Sequence, residues 1–267
     1  MPGSDKHSRK PTNLNPAKMS FIQVENLSKS FGQVEAVSNA SFKVQKGTIF
    51  GLVGSDGAGK TTLLRMIATM IRPSAGNIRI DGLDAAKEKG KLKDLIGYMP
   101  QRFGLYQDLT VGENLDFFMD IFGVFGEERK ERRDQYLGFS NLLPFVDRRA
   151  GDLSGGMKQK LGLACVLVHE PKVLVLDEPT NGVDPVSRQE FWDILVEMKK
   201  QGMTILISTA YLDEGEKCDR LILMHHSHIL GEATPKQFQA HFPNLEEAMI
   251  YRIQEVDKSL ANERFKV

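Results

Sequence analysis

The chain has 267 residues, of which 41% are hydrophobic, and its 35 Lys and Arg residues balance its 35 Asp and Glu residues. The zero net charge argues against a nucleic-acid binder that relies on bulk charge, and the hydrophobic content supports a packed core. No apolar run approaches the ~18 residues that span a bilayer, and the N-terminus lacks the apolar stretch of a secretory signal. Cys165 and Cys218 are far apart in sequence, so we expect a reduced, cytoplasmic protein.

The N-terminal segment, residues 1–18, is polar, contains three prolines and carries four Lys or Arg residues against one Asp. This composition predicts a disordered basic tail, with Met19 as a candidate first residue of the ordered part. Strands are predicted at residues 21–24 and 41–44. The segment between them, residues 30–40, is interpreted as a connection.

A glycine-rich stretch follows, Gly54-Ser55-Asp56-Gly57-Ala58-Gly59-Lys60-Thr61, and it fits the phosphate-binding pattern G-x-x-x-x-G-K-[ST]. An apolar strand precedes it, and residues 62–68 continue as a helical pattern. Glycines let backbone N–H groups approach a phosphate, and the start of a helix favours negative charge. Lys60 can reach the β- and γ-phosphates of a nucleotide, and the Thr61 hydroxyl can bind Mg²⁺.

Two further strands are predicted at residues 76–82 and 96–99, and the second ends at Pro100-Gln101. Residues 102–168 then have a helical character, with Thr110 and Glu113 at the spacing of a capping box. Apolar residues recur at helical spacing from Leu115 to Phe125. The aromatic residues of this region are interpreted either as the core of a helical unit or as a surface that receives another protein: Phe103, Tyr106, Phe117, Phe118, Phe122 and Phe125.

Leu153-Ser154-Gly155-Gly156-Met157 opens a predicted helix over residues 158–168. Ser154 stands where an N-cap belongs. The two glycines leave backbone N–H groups accessible, which favours a second anion site. An ordinary capped helix is the alternative.

An apolar strand, Val173 to Leu176, is followed by two carboxylates, Asp177 and Glu178. Such a run is typical of a buried parallel strand. Asp177 at the strand tip can hold Mg²⁺, and Glu178 can then polarise an attacking water as general base.

Helices and strands alternate beyond this point. Helices are predicted at residues 186–200 and 212–217, strands at 203–207 and 221–224, and a helical tail from residue 245. His225, His226 and His228 fall on a strand and turn, where a surface role is favoured over a metal site. The sequence contains no internal repeat, so it predicts one nucleotide-binding unit.

In order and spacing these motifs resemble the nucleotide-binding subunit of an ABC transporter over about residues 20 to 250. The matching segments are Walker A (54–61), the Q-loop (Gln101), the signature (153–157), Walker B (173–178) and the D-loop (181–184). Phe31 matches the aromatic residue that stacks on adenine in this family. The residues after Walker B resemble bacterial exporters that have separate membrane subunits.

The resemblance implies an α/β fold: a P-loop NTPase core with an N-terminal antiparallel β-subdomain and an inserted α-helical subdomain. The implied division is a disordered basic tail (1–18), an ATPase domain (19–250) into which the helical subdomain (102–168) is inserted, and a C-terminal helical tail (251–267). It also implies ATP and Mg²⁺ as ligands. ATP hydrolysis would depend on Glu178, Gln101 and Lys60.

The resemblance assigns the magnesium ion to Thr61, Gln101 and Asp177. The residues that it assigns to nucleotide binding are Phe31, Gly54, Ser55, Asp56, Gly57, Ala58, Gly59, Lys60, Thr61, Thr62, Ser154, Gly155 and Gly156. It further implies a head-to-tail dimer with a second ABC ATPase subunit, in which each signature completes the neighbour's site. A homodimer is expected, and the sequence leaves open whether the second subunit is identical. The partners would be integral membrane permease subunits and not nucleic acid, and they would hold the chain on the inner face of the cell membrane.

Two residues depart from the family pattern. Met157 ends the signature where Gln is more usual, and Ala210 stands where the family has a histidine that donates to the γ-phosphate. The second departure predicts slow hydrolysis, unless Thr209 or Tyr211, the nearest polar residues, has taken the role of that histidine. It also raises an alternative, a nucleotide-binding regulatory subunit with little turnover. A soluble ABC ATPase that acts in translation or DNA repair is a further alternative, although the chain shows neither fused twin domains nor long coiled-coil arms.

Overall fold

The computed structural model describes residues 20–264, with side chains described for residues 20–256. The predicted tail 1–18 and Met19 lie outside the described residues. The strands of the described part are β1 (Ser20–Phe31), β2 (Val34–Gln45), β3 (Ile49–Gly54), β4 (Ala75–Ile80), β5 (Leu83–Asp84), β6 (Ile96–Met99), β7 (Val173–Asp177), β8 (Thr204–Thr209), β9 (Arg220–His225) and β10 (His228–Ala233). The helices are α1 (Lys60–Ile67), α2 (Lys89–Leu95), α3 (Val111–Ile121), α4 (Gly126–Phe139), α5 (Gly155–Leu167), α6 (Pro185–Lys200), α7 (Leu212–Gly215), α8 (Pro235–Gln239) and α9 (Leu245–Arg264).

The central sheet has the strand order β10-β9-β3-β8-β7-β6. Its strands β9, β3, β8, β7 and β6 are parallel, and β10 pairs antiparallel with β9. Every residue of β3, β7 and β8 is buried, which confirms the predicted buried parallel strand at residues 173–176. Because parallel strands end at one edge of a sheet, the loops after β3, β7 and β8 meet there.

A second, antiparallel sheet has the order β2-β1-β4-β5. The interpretation of residues 30–40 as a connection is wrong, because β1 and β2 continue to a tight turn at Gly32 and pair Phe31 with Val34. Gly32 adopts a φ of 60°, a left-handed conformation that suits glycine in such a turn. The apolar inner face of this sheet and α1 form a common core with one face of β3.

The helical segment between β6 and β7 consists of α3, α4, two short 3₁₀ helices and α5. Thr110 caps α3 reciprocally with Glu113, as the capping-box spacing predicts. The predicted apolar stripe does not follow a single helix, because α3 ends at Ile121 and α4 begins at Gly126. The chain reverses at Gly123, whose φ is 70°, and this leaves Phe122 and Phe125 in the connection.

In the C-terminal part, β10 extends the central sheet at its edge, and α8 and α9 pack with Val53 of β3 and with Leu221 and Leu223 of β9. Helix α9 begins at Leu245 and runs across the predicted boundary between residues 250 and 251, and that division stays a prediction. His225 ends β9, His226 lies in the turn and His228 begins β10, as expected. Among the helices of residues 20–264, none combines the length and the apolar character needed to cross a bilayer.

Candidate nucleotide-binding site

The phosphate-binding loop lies between β3 and α1, at the carboxyl edge of the central sheet. Gly57 and Gly59 adopt φ angles of 77° and 101°, in the left-handed region that favours glycine. A Cβ atom on Gly59 would overlap the carbonyl oxygen of Ala36. The ammonium group of Lys60 is buried and donates to the carbonyl oxygens of Gly54 at 2.7 Å and Ser55 at 2.9 Å, so the loop wraps around a fixed cation.

Asp177 ends β7 next to the start of α1. Its Oδ1 atom accepts hydrogen bonds from the hydroxyl groups of Thr61 at 2.9 Å and Ser208 at 2.8 Å. Its Oδ2 atom accepts from the phenol of Tyr98 at 3.3 Å. Burial raises the pKa of Tyr98, which keeps the phenol protonated as a donor. Neither Tyr98 nor Ser208 was among the predicted site residues.

Thr61 and Asp177 provide a set of hard oxygen atoms that fits Mg²⁺. The 2.9 Å between their oxygens is close to the spacing of neighbouring ligands in an octahedral site with metal–oxygen distances of about 2.1 Å. The third predicted ligand, Gln101, directs its amide nitrogen to Glu178 at 3.1 Å. Its amide oxygen is the atom of that side chain able to bind a metal.

Glu178 follows β7 with a left-handed backbone, at a φ of 48°. Its N–H donates to the carbonyl oxygen of Ser208 at 3.1 Å and to the hydroxyl of the same residue at 3.0 Å. Its carboxylate pairs with Lys60 at 3.0 Å and accepts from Gln101 and from Asn181, the latter at 3.4 Å. The structure therefore brings the three predicted catalytic residues, Lys60, Gln101 and Glu178, into direct contact.

A cavity of about 460 Å³ opens beside the loop. Its lining includes loop residues 56–62, Gln101 and Glu178 together with three residues of β2 and one of the β9–β10 turn: Val34, Glu35, Ala36 and Ser227. Phe31 lies at the tip of the hairpin, outside this lining, with 51% of its surface exposed. The ammonium group of Lys29 lies 4.9 Å from the centre of its ring.

The β9–β10 turn joins the phosphate-binding loop to β2. The N–H of Ser227 donates to the carbonyl oxygen of Ala58 at 3.2 Å, and its hydroxyl donates to that of Glu35 at 2.5 Å. Its own carbonyl oxygen accepts from the N–H of Ser38 at 2.9 Å. Sequence reasoning missed this residue, because nothing in the local sequence indicates that a turn so late in the chain reaches β2.

Ser154, Gly155 and Gly156 lie at the start of α5, and none of the three lines the cavity at Lys60. The Ser154 hydroxyl accepts from the N–H of Met157 at 3.2 Å, as expected for an N-cap. Gly156 packs against Ser187 of α6, where a Cβ atom would overlap the serine side chain, whereas the space around Gly155 is open. The surface at Gly155 is therefore free to receive a group from outside the described chain.

Ala210 follows β8 and lines a small cavity of about 180 Å³ together with Glu178, Asn181, Thr209 and Tyr211. The Thr209 hydroxyl is buried and donates to the carboxylate of Glu214 at 2.6 Å. The Thr209 hydroxyl therefore already has Glu214 as its acceptor.

The predicted aromatic residues are largely connected in the structure. Phe103, Phe118 and Phe122 line a mainly apolar cavity of about 680 Å³, together with Lys89 and Lys93 of α2. Tyr106 packs edge-on against Phe117 with ring centres 4.5 Å apart. Phe125 is exposed before α4. Phe117 also contacts Phe118, with ring centres 5.5 Å apart, and Phe118 contacts Phe103 at 5.3 Å. Phe103, Tyr106, Phe117 and Phe118 therefore form one connected aromatic cluster that shares the cavity with Phe122, and Phe125 lies apart from that cavity.

Comparison with known proteins places this geometry in a family. Residues 37–181 match the sequence profile described as ABC transporter. The chain is 50% identical over 217 residues to the probable multidrug ABC transporter ATP-binding protein YbhF of Escherichia coli (strain K12), a match that covers 80% of this chain and 38% of that protein. This chain thus spans well under half of the length of that relative.

Another relative matches over most of its own length. The chain is 40% identical over 215 residues to the Nod factor export ATP-binding protein I of Rhizobium sp. (strain N33), which covers 80% of this chain and 71% of that protein. A solved ATP-binding subunit of an ABC transporter superposes with a TM-score of 0.77 at 27% identity, covering 88% of this chain and all of the other. The fold is thus that of an ABC ATPase cassette, and the chain belongs to the ABC transporter family of ATP-binding proteins.

Proposed function

We propose that this chain binds and hydrolyses ATP and thereby powers a membrane exporter. The observation that carries the proposal is the contact of Lys60 with Glu178, beside the Thr61–Asp177 pair, at the end of a phosphate-binding loop. Two of the relatives are named for multidrug transport and Nod factor export. They support the assignment to export, while the transported substrate of this chain stays open.

Lys60 and the backbone N–H groups of residues 55–62 would hold the phosphates of the nucleotide. Lys60 is a compact charge whose position is fixed by two carbonyl oxygens. Phe31 would stack on the adenine from the hairpin tip. Thr61, Asp177 and the amide oxygen of Gln101 would hold Mg²⁺, which when bound neutralises charge on the β- and γ-phosphate oxygens.

Glu178 would act as the general base. Its backbone is fixed by two hydrogen bonds to Ser208 and its carboxylate by Lys60, Gln101 and Asn181. A base that is held in one geometry can take the proton of a water placed in line with the γ-phosphate. Gln101 donates to the same carboxylate. A movement of the helical segment that follows Gln101 would therefore change the position of the Glu178 carboxylate.

The signature residues would serve a second subunit. Ser154 and Gly155 are exposed, lie away from Lys60 of the same chain and leave helical N–H groups accessible. We infer a head-to-tail dimer of identical chains, in which these residues close the neighbour's nucleotide site. ATP binding would then close the dimer, and hydrolysis would reopen it.

The apolar cavity between α2 and α3 would receive an integral membrane permease subunit. Phe103, Phe118 and Phe122 supply its apolar wall, and apolar recesses of this kind are typical of docking surfaces. Such a partner would hold the chain at the cytoplasmic face of the membrane. The balanced charge of the chain favours this partner over nucleic acid.

A regulatory subunit with little turnover is the second candidate, and Ala210 is the observation that favours it. Its methyl group offers no hydrogen-bond donor to the cavity beside Glu178. Two measurements separate the candidates: ATP hydrolysis by the complex purified from native membranes, and identification of the membrane proteins that copurify. Hydrolysis that is lost in Glu178→Gln supports the proposed function, and a complex that binds ATP without hydrolysing it would replace that function with the regulatory role.

A further inference from the structure

Tyr211 lines the same small cavity as Glu178. It precedes α7, and its ring packs against the guanidinium group of Arg188, 4.8 Å from the ring centre. Its backbone N–H donates to the hydroxyl of Thr209 at 2.9 Å. The backbone and the ring of Tyr211 are therefore both fixed by contacts. Its phenol donates to the side-chain oxygen of Asn181 at 3.4 Å.

Asn181 connects this phenol to the proposed general base. Its amide nitrogen donates to Oε2 of Glu178 at 3.4 Å, while its amide oxygen accepts from Tyr211. The chemistry of the two neighbours fixes this orientation. An ionised carboxylate can only accept, so the amide nitrogen must face Glu178, and the amide oxygen then faces a hydroxyl that can donate.

The two other hydroxyl groups that line this cavity, those of Thr209 and Thr180, donate to Glu214. Thr209 donates to Glu214 at 2.6 Å and accepts from the N–H of Tyr211. Thr180 donates to the other oxygen of the same buried carboxylate at 2.5 Å. Of the side chains that line the small cavity, Tyr211 is thus the one whose hydroxyl is linked to Glu178.

We propose that Tyr211 is a positioning residue for ATP hydrolysis, acting on Glu178 through Asn181. The phenol polarises and orients the amide, and the amide in turn holds the carboxylate that takes the proton from water. This inference rests on the proposed function, since it requires Glu178 to be the base. Two successive hydrogen bonds, from Tyr211 to Asn181 and from Asn181 to Glu178, thus reach the base in the cavity where the methyl group of Ala210 offers no donor.

The test is Tyr211→Phe in the full-length chain, because this change removes the hydroxyl and keeps the ring against Arg188. The loss of one neutral hydrogen bond predicts a fall in kcat of about 3- to 10-fold. The KM for ATP stays within a factor of about two, because the phenol contacts Asn181 and not the phosphate-binding loop. Tyr251→Phe, a change of the same kind on α9 with 47% of the residue exposed, serves as the matched control and keeps the parent kcat.

A double-mutant cycle tests whether Tyr211 acts through Asn181. Asn181→Ala alone should lower kcat at least as much as Tyr211→Phe, and adding Tyr211→Phe to it should cause no further loss. An unchanged kcat in Tyr211→Phe, or a full additional loss in the Asn181→Ala background, would overturn the inference. Glu178→Gln in the same assay separates the proposed function from this inference. If Glu178→Gln retains the parent kcat, the assignment of Glu178 as the base is wrong. If Glu178→Gln loses turnover while Tyr211→Phe does not, only the positioning role of Tyr211 fails.

Discussion

The ammonium group of Lys60 lies 3.0 Å from the carboxylate of Glu178, and only 3% and 11% of the two side chains are exposed. The cation of the phosphate-binding loop and the acid after β7 therefore stabilise each other in a largely dry site, where charge pairs are strong. A phosphate group that enters the loop has to share Lys60 with Glu178. Substitutions at the two positions should consequently have opposite effects on nucleotide affinity.

Lys60→Ala should weaken the binding of Mg-ATP by about 10- to 100-fold, because a hydrogen bond to a charged group contributes about 1.5–3 kcal/mol. Titration calorimetry measures the change. Lys200→Ala is the control, since Lys200 forms an exposed ion pair with Glu197 remote from the loop. Unchanged affinity in Lys60→Ala would remove Lys60 from the phosphate site.

Glu178→Gln should lower the rate of ATP hydrolysis by about 10²–10⁴-fold, the range for loss of a general base. Binding of Mg-ATP should be equal or tighter, because Lys60 loses its ion-pair partner and keeps its two carbonyl contacts. ATP should then trap a dimer, which light scattering after size-exclusion chromatography detects. Hydrolysis at the parent rate would show that Glu178 is not the base.

Gly155 and Gly156 offer a matched pair of substitutions. Gly156→Ala should lower the melting temperature, because its new methyl group overlaps Ser187 and such overpacking costs about 1–3 kcal/mol. Gly155→Ala meets open space and should leave the melting temperature unchanged while weakening the ATP-dependent dimer. Unchanged dimer formation in Gly155→Ala would argue against a role of this helix start in the partner's site.

The double substitution of Phe103 and Tyr106 by Ser should release the membrane partner and leave the chain folded. Phe103 lines the apolar cavity, and Tyr106 is 46% exposed beside it. Copurification from membranes measures the partner, and thermal unfolding checks the fold. Tyr251→Ser removes a similarly exposed aromatic ring from α9 as the control. A complex that survives the double change would place the permease elsewhere.

Ala210→His should raise the turnover of ATP, by up to ~10²-fold, and change ATP affinity little. A side chain at this position extends into the cavity beside Glu178, and one preorganised donor there is worth about 10²–10³ in rate. Ala210→Leu adds bulk without a donor and should give no gain. Equal or lower turnover in Ala210→His, together with a collapse in Thr209→Ala, would show that Thr209 already fills the role.

Much of this architecture is predictable because its signals are local. The phosphate-binding loop, the buried strand before Asp177 and the caps at Thr110 and Ser154 depend on residues within a few positions of one another. The long β1–β2 hairpin is missed because β2 begins with exposed residues, Val34 and Glu35, whose pattern does not alternate between buried and exposed sides.

The hydrogen bonds that Tyr98 and Ser208 form with Asp177 and Glu178 cannot be predicted from neighbouring positions in the sequence, for a different reason. Tyr98, Asp177 and Ser208 belong to β6, β7 and β8, and these strands become neighbours only when the sheet forms. Ser227 likewise meets Glu35 only through tertiary packing. Tyrosine and serine are common at strand ends and in turns, so the sequence contains no signal that distinguishes Tyr98, Ser208 and Ser227 from residues outside the site.

The position of β3 has a consequence for how the chain can be divided. Its two neighbours in the sheet are β8 and β9, residues 204–209 and 220–225. A fragment that stops at Asn181 would contain Lys60, Asp177 and Glu178, yet the strand that presents Lys60 would have lost both rows of inter-strand hydrogen bonds. Lys60, Asp177 and Glu178 thus come from the first two thirds of the polypeptide. The sheet that aligns them is completed only by β8 and β9 in the last third. A minimal working unit therefore has to extend through β9.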